Sequence, residues 1–119
     1  MRRTMSTNIY LRRLIHTLKK YGREFKAPIW RDVAEYLARP TRKRVEVNLS
    51  RINRYTEEGD VVVVPGKVLG SGVLSHRVTV AAWRFSREAF TKIKSLGEAI
   101  TIEELLRRNP SGKNVKIIT

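Results

Sequence analysis

The first forty residues carry apolar side chains at helical spacing. Four of them recur at i, i+3, i+4 and i+7 and so share one helix face: Leu11, Leu14, Ile15 and Leu18. Thr7 or Asn8 is predicted to cap this helix, which runs to about Tyr21 and ends before Gly22. The same spacing returns in a second predicted helix, which starts at Pro28 and ends before Pro40.

A third helix is predicted to begin within residues 41–45 and to end near Tyr55. Apolar or small residues spaced by four, three and four positions define one side of it: Val45, Leu49, Ile52 and Thr56. Basic and amide-bearing residues follow the same steps one position earlier: Arg44, Asn48, Arg51 and Tyr55. Such a helix would carry a hydrophobic stripe and a basic stripe side by side.

From residue 57 the pattern changes from helical to strand-like. Residues 57–60 (EEGD) indicate a turn, and the β-branched run 61–64 is typical of a strand buried on both faces. Pro65 and Gly66 are expected to break that strand and to open a glycine-rich loop over 65–72. Alternation from Val78 to Phe85 predicts a second strand.

The remaining segments predict two short helices and a last strand. Ser86 is expected to cap a helix that stops at Gly97, and Thr101 with Glu104 forms a capping-box pattern before the next. Residues 109–112 end that helix, and 115–118 form a closing strand. The chain is therefore predicted as one α/β domain over 1–119, with a basic helical segment (1–55) packed on a mixed α/β core (56–119).

Charge adds the first functional signal. The chain has 25 Lys and Arg against 11 Asp and Glu, a formal net charge of +14 and a pI near 11.0. Residues 1–55 hold 15 basic and 4 acidic residues, whereas 56–119 hold 10 and 7. A folded domain this basic needs a polyanion to offset its self-repulsion, and nucleic acid is the usual one.

The sequence offers little for catalysis or metal binding. Cysteine is absent, and neither His16 nor His76 has a partner at a ligand or general-base spacing. Asp32 and Glu35 are expected to form ion pairs with Arg31 and Arg39 rather than to act as an acid and base. Neither a P-loop nor a Rossmann fingerprint occurs. We therefore expect no enzyme activity, no metal, no cofactor and no small-molecule substrate.

The run from Arg39 to Arg54 is the strongest binding signal, because Glu46 is its only acid. A merely solvated face would mix both signs, and guanidinium groups bind phosphates bidentately. With no helix-turn-helix, zinc finger or RNP-type motif present, the expected mode is shape and phosphate recognition by a folded surface. For the glycines of 65–72 two interpretations stay open: unusual dihedral angles, or close approach of backbone amides to RNA phosphates beside Lys67.

Several segments resemble the large-subunit ribosomal protein family L-eighteen-e of archaea and eukaryotes. They are 30–42 (WRDVAEYLARPTR), 45–52 (VEVNLSRI), 61–74 (VVVVPGKVLGSGVL), 78–82 (VTVAA) and 97–100 (GEAI). The resemblance runs in order from about residue 8 to residue 118. It implies an archaeal protein related to the bacterial L-fifteen family, with basic helices before an irregular superhelix of strand-strand-helix turns. Trp83 and the stretch 1–6 depart from the pattern.

The resemblance implies a structural constituent of the large ribosomal subunit in the cytoplasm. Its partners would be large-subunit ribosomal RNA and neighbouring ribosomal proteins; no membrane partner is expected, since no apolar run is long enough to span one. The expected RNA-binding residues are Arg12, Arg13, Lys19, Lys20, Arg39, Arg42, Lys43, Arg44, Asn48, Arg51, Arg54, Gly66, Lys67, Gly70 and Gly72. The alternative is a free-standing RNA-binding or ribosome-assembly factor, and a small basic nuclease ranks third.

Overall fold

The computed structural model describes residues 5–119, which form helices on both faces of a parallel sheet. In chain order the elements are α1 (Met5–Glu24), α2 (Pro28–Leu37), a 3-10 turn (Thr41–Lys43), β1 (Val45–Asn48), α3 (Leu49–Arg54), β2 (Asp60–Leu69), β3 (Val78–Phe85), α4 (Arg87–Lys94), β4 (Glu98–Thr101), α5 (Ile102–Arg108) and β5 (Val115–Ile117). The mixed α/β class predicted from the sequence is confirmed.

The strand β2 organises the sheet. It pairs with β3 along most of its length, and β3 pairs in turn with β4. The other edge of β2 is shared end to end by two short strands, since β5 pairs with residues 61–63 and β1 with residues 66–69. Because β1 belongs to this sheet, the segment 1–55 and the segment 56–119 share one set of backbone hydrogen bonds.

Two hydrophobic clusters cover the two faces of the sheet. Val62, Val64 and Val68 of β2 pack in the cluster that includes α3 and α4. Val63 and Ala81 pack in the cluster that includes α1, α2 and α5. The valine run is therefore buried on both faces, as its composition predicted, which is typical of parallel sheets flanked by helices. No described helix is long and apolar enough to cross a bilayer.

The first two helices form where the spacing predicted them, but α1 is longer at both ends. It begins at Met5, so a cap at Thr7 or Asn8 is wrong. It also runs past Gly22 to Glu24, and Lys26 takes the left-handed conformation with φ 50°. The Ala27 N–H then donates to the Gly22 carbonyl (3.0 Å), which is the 6→1 hydrogen bond of a Schellman motif at the end of a helix.

The predicted third helix is wrong over its first half. Residues 41–43 form a 3-10 turn and 45–48 form β1, so only 49–54 are helical. Val45 and Val47 are buried while Glu46 is exposed, which is the alternation of a strand. This strand is stabilised by residues remote in sequence. The strand β5 pairs only with residues 61–63 of β2, so the backbone groups of residues 66–69 on the same edge would lack partners without β1.

The predicted break at Pro65 and Gly66 is also wrong. The strand β2 continues to Leu69, with an irregularity in its pairing to β3 between Val64 and Lys67. A bulge of this kind absorbs a proline without ending the strand. The connecting loop therefore spans 70–77 instead of 65–72.

The C-terminal predictions are mostly confirmed. Ser86 accepts a hydrogen bond from the Ala89 N–H (3.1 Å) and Thr101 accepts one from the Glu104 N–H (3.0 Å), so both caps exist. The Glu104 carboxylate turns to Arg107 and Arg108 and not back to Thr101, so the capping box is half formed. The closing strand is present as β5, and the four-residue β4 was not predicted.

Candidate nucleic-acid interface

Among the described residues, some Lys and Arg side chains form ion pairs with acidic side chains and the others do not. All the pairs lie between residues 60 and 116: Lys92–Glu88, Arg107–Glu104, Arg108–Glu98, Arg108–Glu104 and Lys116–Asp60. Within residues 5–55 as described, no Lys or Arg pairs with an acid, so the expected pairs of Asp32 and Glu35 with Arg31 and Arg39 are wrong. The N-terminal part of the chain therefore has more positive charge than the C-terminal part, and its described cations are also not neutralised by ion pairs.

Three of the paired carboxylates show the effect of these neighbours in their pKa values. Hydrogen bonds from Arg108 lower the pKa of Glu98, and hydrogen bonds from Arg107 and Arg108 lower that of Glu104. A hydrogen bond from Lys116 lowers the pKa of Asp60 in the same way. Cations that stabilise acids of their own chain have less charge to offer a polyanion.

The helix α1 presents an exposed basic face. Its apolar face, Leu11, Leu14 and Leu18, is buried in the cluster that contains α2. The cations expected to bind RNA are all exposed on this helix: Arg12, Arg13, Lys19 and Lys20. Because the opposite face of the helix is packed against the protein, these side chains extend into solvent and give this side of α1 a positive charge.

The turn between α2 and β1 concentrates four more cations. Arg42 and Lys43 are exposed in the 3-10 turn, and Arg39 stacks its guanidinium 4.5 Å from the centroid of the Tyr36 ring. Arg44 is half-buried and donates from Nη2 to the Arg39 carbonyl (3.1 Å). The turn therefore carries dense positive charge with two of its guanidinium groups held in place.

The cations of α3 lie beside the end of β5. Arg51 donates from Nε to the Thr119 carbonyl (2.8 Å) and stacks 5.2 Å from the Tyr55 ring centroid, while Arg54 is exposed. Asn48 ends β1 and caps α3 without a side-chain hydrogen bond. The single helical stripe predicted from Arg44 through Asn48 and Arg51 to Tyr55 does not form, because it is split between strand and helix.

Two clefts meet at Ile117 and Thr119. One, of about 590 Å³, is lined by Tyr36 and Arg39 and also by two acids, Asp32 and Glu35. The other, of about 610 Å³, is lined by residues that include Arg51 and Lys116. Sequence reasoning missed the aromatic members of these clefts. For Tyr55 a signal was present: it follows Arg51 by four positions on the predicted stripe, and its ring does lie beside the Arg51 guanidinium.

The glycines of 66–72 are explained by packing inside the protein. A Cβ at Gly66 would lie 2.0 Å from the Val45 carbonyl oxygen, and one at Gly70 would lie 2.7 Å from the Glu88 side chain. Gly72 has φ +100° and faces Ser50 at 2.6 Å. Lys92 also donates to the carbonyls of Gly70 and Gly72 (2.8 and 3.1 Å). Both features expected of these glycines therefore occur: Gly72 has an unusual dihedral angle, and Gly66 and Gly70 allow a close approach, in this structure by other parts of the protein.

The two histidines have no catalytic surroundings in the described residues. His16 is exposed on α1, and His76 lies 2.7 Å from the Thr56 hydroxyl through Nε2. Since that hydroxyl donates to the Ile52 carbonyl (2.7 Å), it accepts from the imidazole, which is a structural link between α3 and the loop before β3. Residues 5–119 as described hold no group of acids and histidines able to bind a metal.

These features define a class: a small parallel α/β domain whose unpaired cations suit a polyanion. The whole chain, residues 1–119, matches the family described as "Ribosomal protein 60S L18 and 50S L18e". The chain belongs to this family, the L-eighteen-e family that its motifs resemble.

Relatives of similar length support the assignment. The chain is 51% identical over 119 residues to the large ribosomal subunit protein eL18 of Methanococcus maripaludis, with 99% of each chain covered. It is 50% identical to the eL18 of Methanopyrus kandleri (97% and 95% covered) and 52% identical to that of Haloarcula marismortui (94% and 97% covered). The expectation that the chain is not an enzyme is confirmed by its membership of a ribosomal protein family.

Proposed function

We propose that the chain is a structural constituent of the large ribosomal subunit that binds large-subunit ribosomal RNA through phosphate contacts. The observation that carries the proposal is the separation of paired and unpaired cations: those of residues 12–54 make no ion pair in the described structure. A polyanion would supply the missing counter-charges, and release of its condensed counterions would drive binding.

The proposed RNA-facing residues are the exposed cations of the expected set. On α1 they are Arg12, Arg13, Lys19 and Lys20; after α2 they are Arg39, Arg42, Lys43, Arg51 and Arg54. Asn48, Arg44 and Lys67 are half-buried and would contact RNA at the edge of this surface. Gly66, Gly70 and Gly72 are accounted for by packing and are not needed for the proposal.

A subunit constituent also has protein neighbours and a cytoplasmic location. Exposed apolar side chains outside the basic surface, such as Val73 and Leu96, are suited to neighbouring ribosomal proteins. A free-standing RNA-binding or assembly factor would share the RNA contacts but not a fixed place in the subunit. Co-sedimentation at one copy per large subunit supports the constituent, and presence on only a small fraction of the subunits supports the factor.

The RNA contact is tested by the salt dependence of binding to purified large-subunit ribosomal RNA. The double variant Arg42→Gln, Lys43→Gln should lower the slope of log affinity against log salt by roughly two, because each cation would neutralise about one phosphate. The matched control removes two ion-paired charges, Arg107→Gln and Lys116→Gln, and should leave the slope nearly unchanged. Equal losses in both variants would contradict the proposal.

A further inference from the structure

Three cations from separate parts of the chain meet at one end of the sheet. Lys67 of β2 is the direct register neighbour of Arg84 on β3, and Arg44 comes immediately before β1. Together with Trp83 they line one cleft of about 160 Å³. Glu46 also lines it and is the register neighbour of Lys67 on β1, but none of these cations forms an ion pair in the described structure.

This arrangement is unfavourable as it stands, for two independent reasons. Lys67 and Arg84 repel each other because they lie directly opposite on adjacent strands, and Lys67 is half-buried, which weakens its screening by water. Glu46, opposite Lys67 on β1, is one acid beside three cations and offsets only part of their charge. The Arg44 Nε is a buried donor with no hydrogen-bond partner, the one such side-chain atom in the described residues. A buried donor left unpaired is costly, so the placement of Arg44 is itself unfavourable.

We propose that this cleft, between Arg44, Lys67 and Arg84, binds one phosphate group of the RNA backbone. The inference rests on the proposed function and assigns one contact within it. A phosphate carries negative charge and several acceptor oxygens, so it can bind more than one of these cations at once and reduce the net positive charge that the three cations and Glu46 leave in the cleft. The cleft has room for a compact anion, and the Arg84 guanidinium is held at its wall, 5.6 Å from the Trp83 ring.

Arg84 and Trp83 were absent from the RNA-binding residues expected from the sequence. Arg84 stands alone between Trp83 and Phe85, with no basic neighbour nearer than Arg87. Only the parallel pairing of β2 with β3 brings it beside Lys67. The site therefore adds a residue of the less basic half of the chain to the RNA-binding surface.

The anion site is tested first on the free full-length protein by thermal melting. Inorganic phosphate should raise the Tm of the wild type above its value in chloride at equal ionic strength, because a ligand that binds only the folded state stabilises it. Because phosphate also stabilises folded proteins in general, the increment should shrink in Lys67→Gln and Arg84→Gln without vanishing, and it should shrink less in Arg84→Lys. Lys113→Gln, which removes an exposed charge elsewhere, should keep it whole. An equal increment in all variants would overturn the site.

The RNA contact is tested by salt dependence with large-subunit ribosomal RNA. Lys67→Gln and Arg84→Gln should each lower the slope by about one, and the double variant should also lower it by about one, since all would lose the same phosphate. Losses that add to about two would overturn the shared site. An unchanged slope with a reduced phosphate increment would mean that the cleft binds free phosphate and not RNA. If the wild type shows no salt-dependent binding, the proposed function fails, whereas the melting result still reports on the cleft.

Discussion

At the scale of single residues, Gly66 decides whether β1 can join the sheet. It is the register partner of Val45, and the nearest atoms that a Cβ would meet belong to the Val45 backbone, its carbonyl oxygen at 2.0 Å. A flexible side chain could rotate away from such an overlap, but a paired strand cannot. The residue is therefore required by strand pairing, although its sequence context, after Pro65, indicated a loop.

We predict that Gly66→Ala lowers the free energy of unfolding by on the order of 3 kcal/mol or more, through loss of β1 pairing. Urea unfolding measures this, and amide exchange should become faster over residues 45–48. The control is Gly59→Ala, at φ +87° with nothing within 4 Å of the added Cβ. Its cost should be limited to the left-handed strain of about 1–2 kcal/mol. Equal costs would show that the contact with Val45 is easily relaxed.

At the scale of elements, the long periodic segments were predictable and the short ones were not. The apolar stripes of α1 and α2, the valine run of β2 and the cap of α4 are local signals, and each identified its element. The segment 45–52 fits helical spacing and strand alternation equally well over so few residues. Whether residues 45–48 form a helix or a strand depends on hydrogen bonds to residues 66–69, which cannot be recognised from the local sequence.

Some features of the candidate site could likewise be predicted from the local sequence, and others could not. Exposure of the cations on α1 and in the 3-10 turn followed from charge density and from the apolar face opposite them. Which cations are neutralised by acids did not follow, because Lys116 and Asp60 lie 56 positions apart in sequence and meet only through the pairing of β5 with β2. The neighbourhood of Lys67 and Arg84 likewise depends on strand register, which a single sequence leaves open.

The helix α5 is tied to β4 by a small ionic network, and this predicts a pH dependence. Arg108 donates to both oxygens of Glu98 (2.9 and 3.1 Å) and to Glu104 (3.1 Å). These bonds lower the pKa of Glu98 below its ordinary value of 4.5. A carboxyl with a lowered folded pKa stabilises the protein above its unfolded pKa, and this stabilisation is lost as pH falls through the folded value.

We therefore expect the stability difference between wild type and Arg108→Gln to be constant above pH 4.5, the ordinary glutamate pKa, and to shrink at lower pH. Because the network is exposed to solvent, the difference should be small and should decrease with salt. Thermal melting across this pH range measures it, with Lys113→Gln as the variant that should show no such change. A difference that grows as pH falls would contradict the assigned sign.

At the scale of the whole molecule, size and charge act together. The described residues measure 41 × 35 × 20 Å, with a radius of gyration of 14.0 Å. At an ionic strength of ~0.01 M the Debye length is about 30 Å, so most of the charges that sum to +14 interact across the entire body. The free protein is therefore expected to be destabilised by the same unpaired cations that would bind RNA, and RNA would relieve the repulsion.

Two triple variants with equal loss of charge test this trade-off. Arg12→Gln, Arg13→Gln, Lys19→Gln removes unpaired cations of α1 and should raise Tm by several degrees at low salt, an advantage that fades as salt screens the repulsion. The second variant, Arg107→Gln with Arg108→Gln and Lys116→Gln, removes the same charge but also the ion-pair partners of Glu98, Glu104 and Asp60, so its Tm should rise less than that of the α1 variant. The order should reverse in RNA binding, where the α1 variant loses roughly three from the salt slope and the other almost nothing. If both variants shift Tm equally and lose equal slope, then only net charge matters, and the division into paired and unpaired cations has no role in stability or binding.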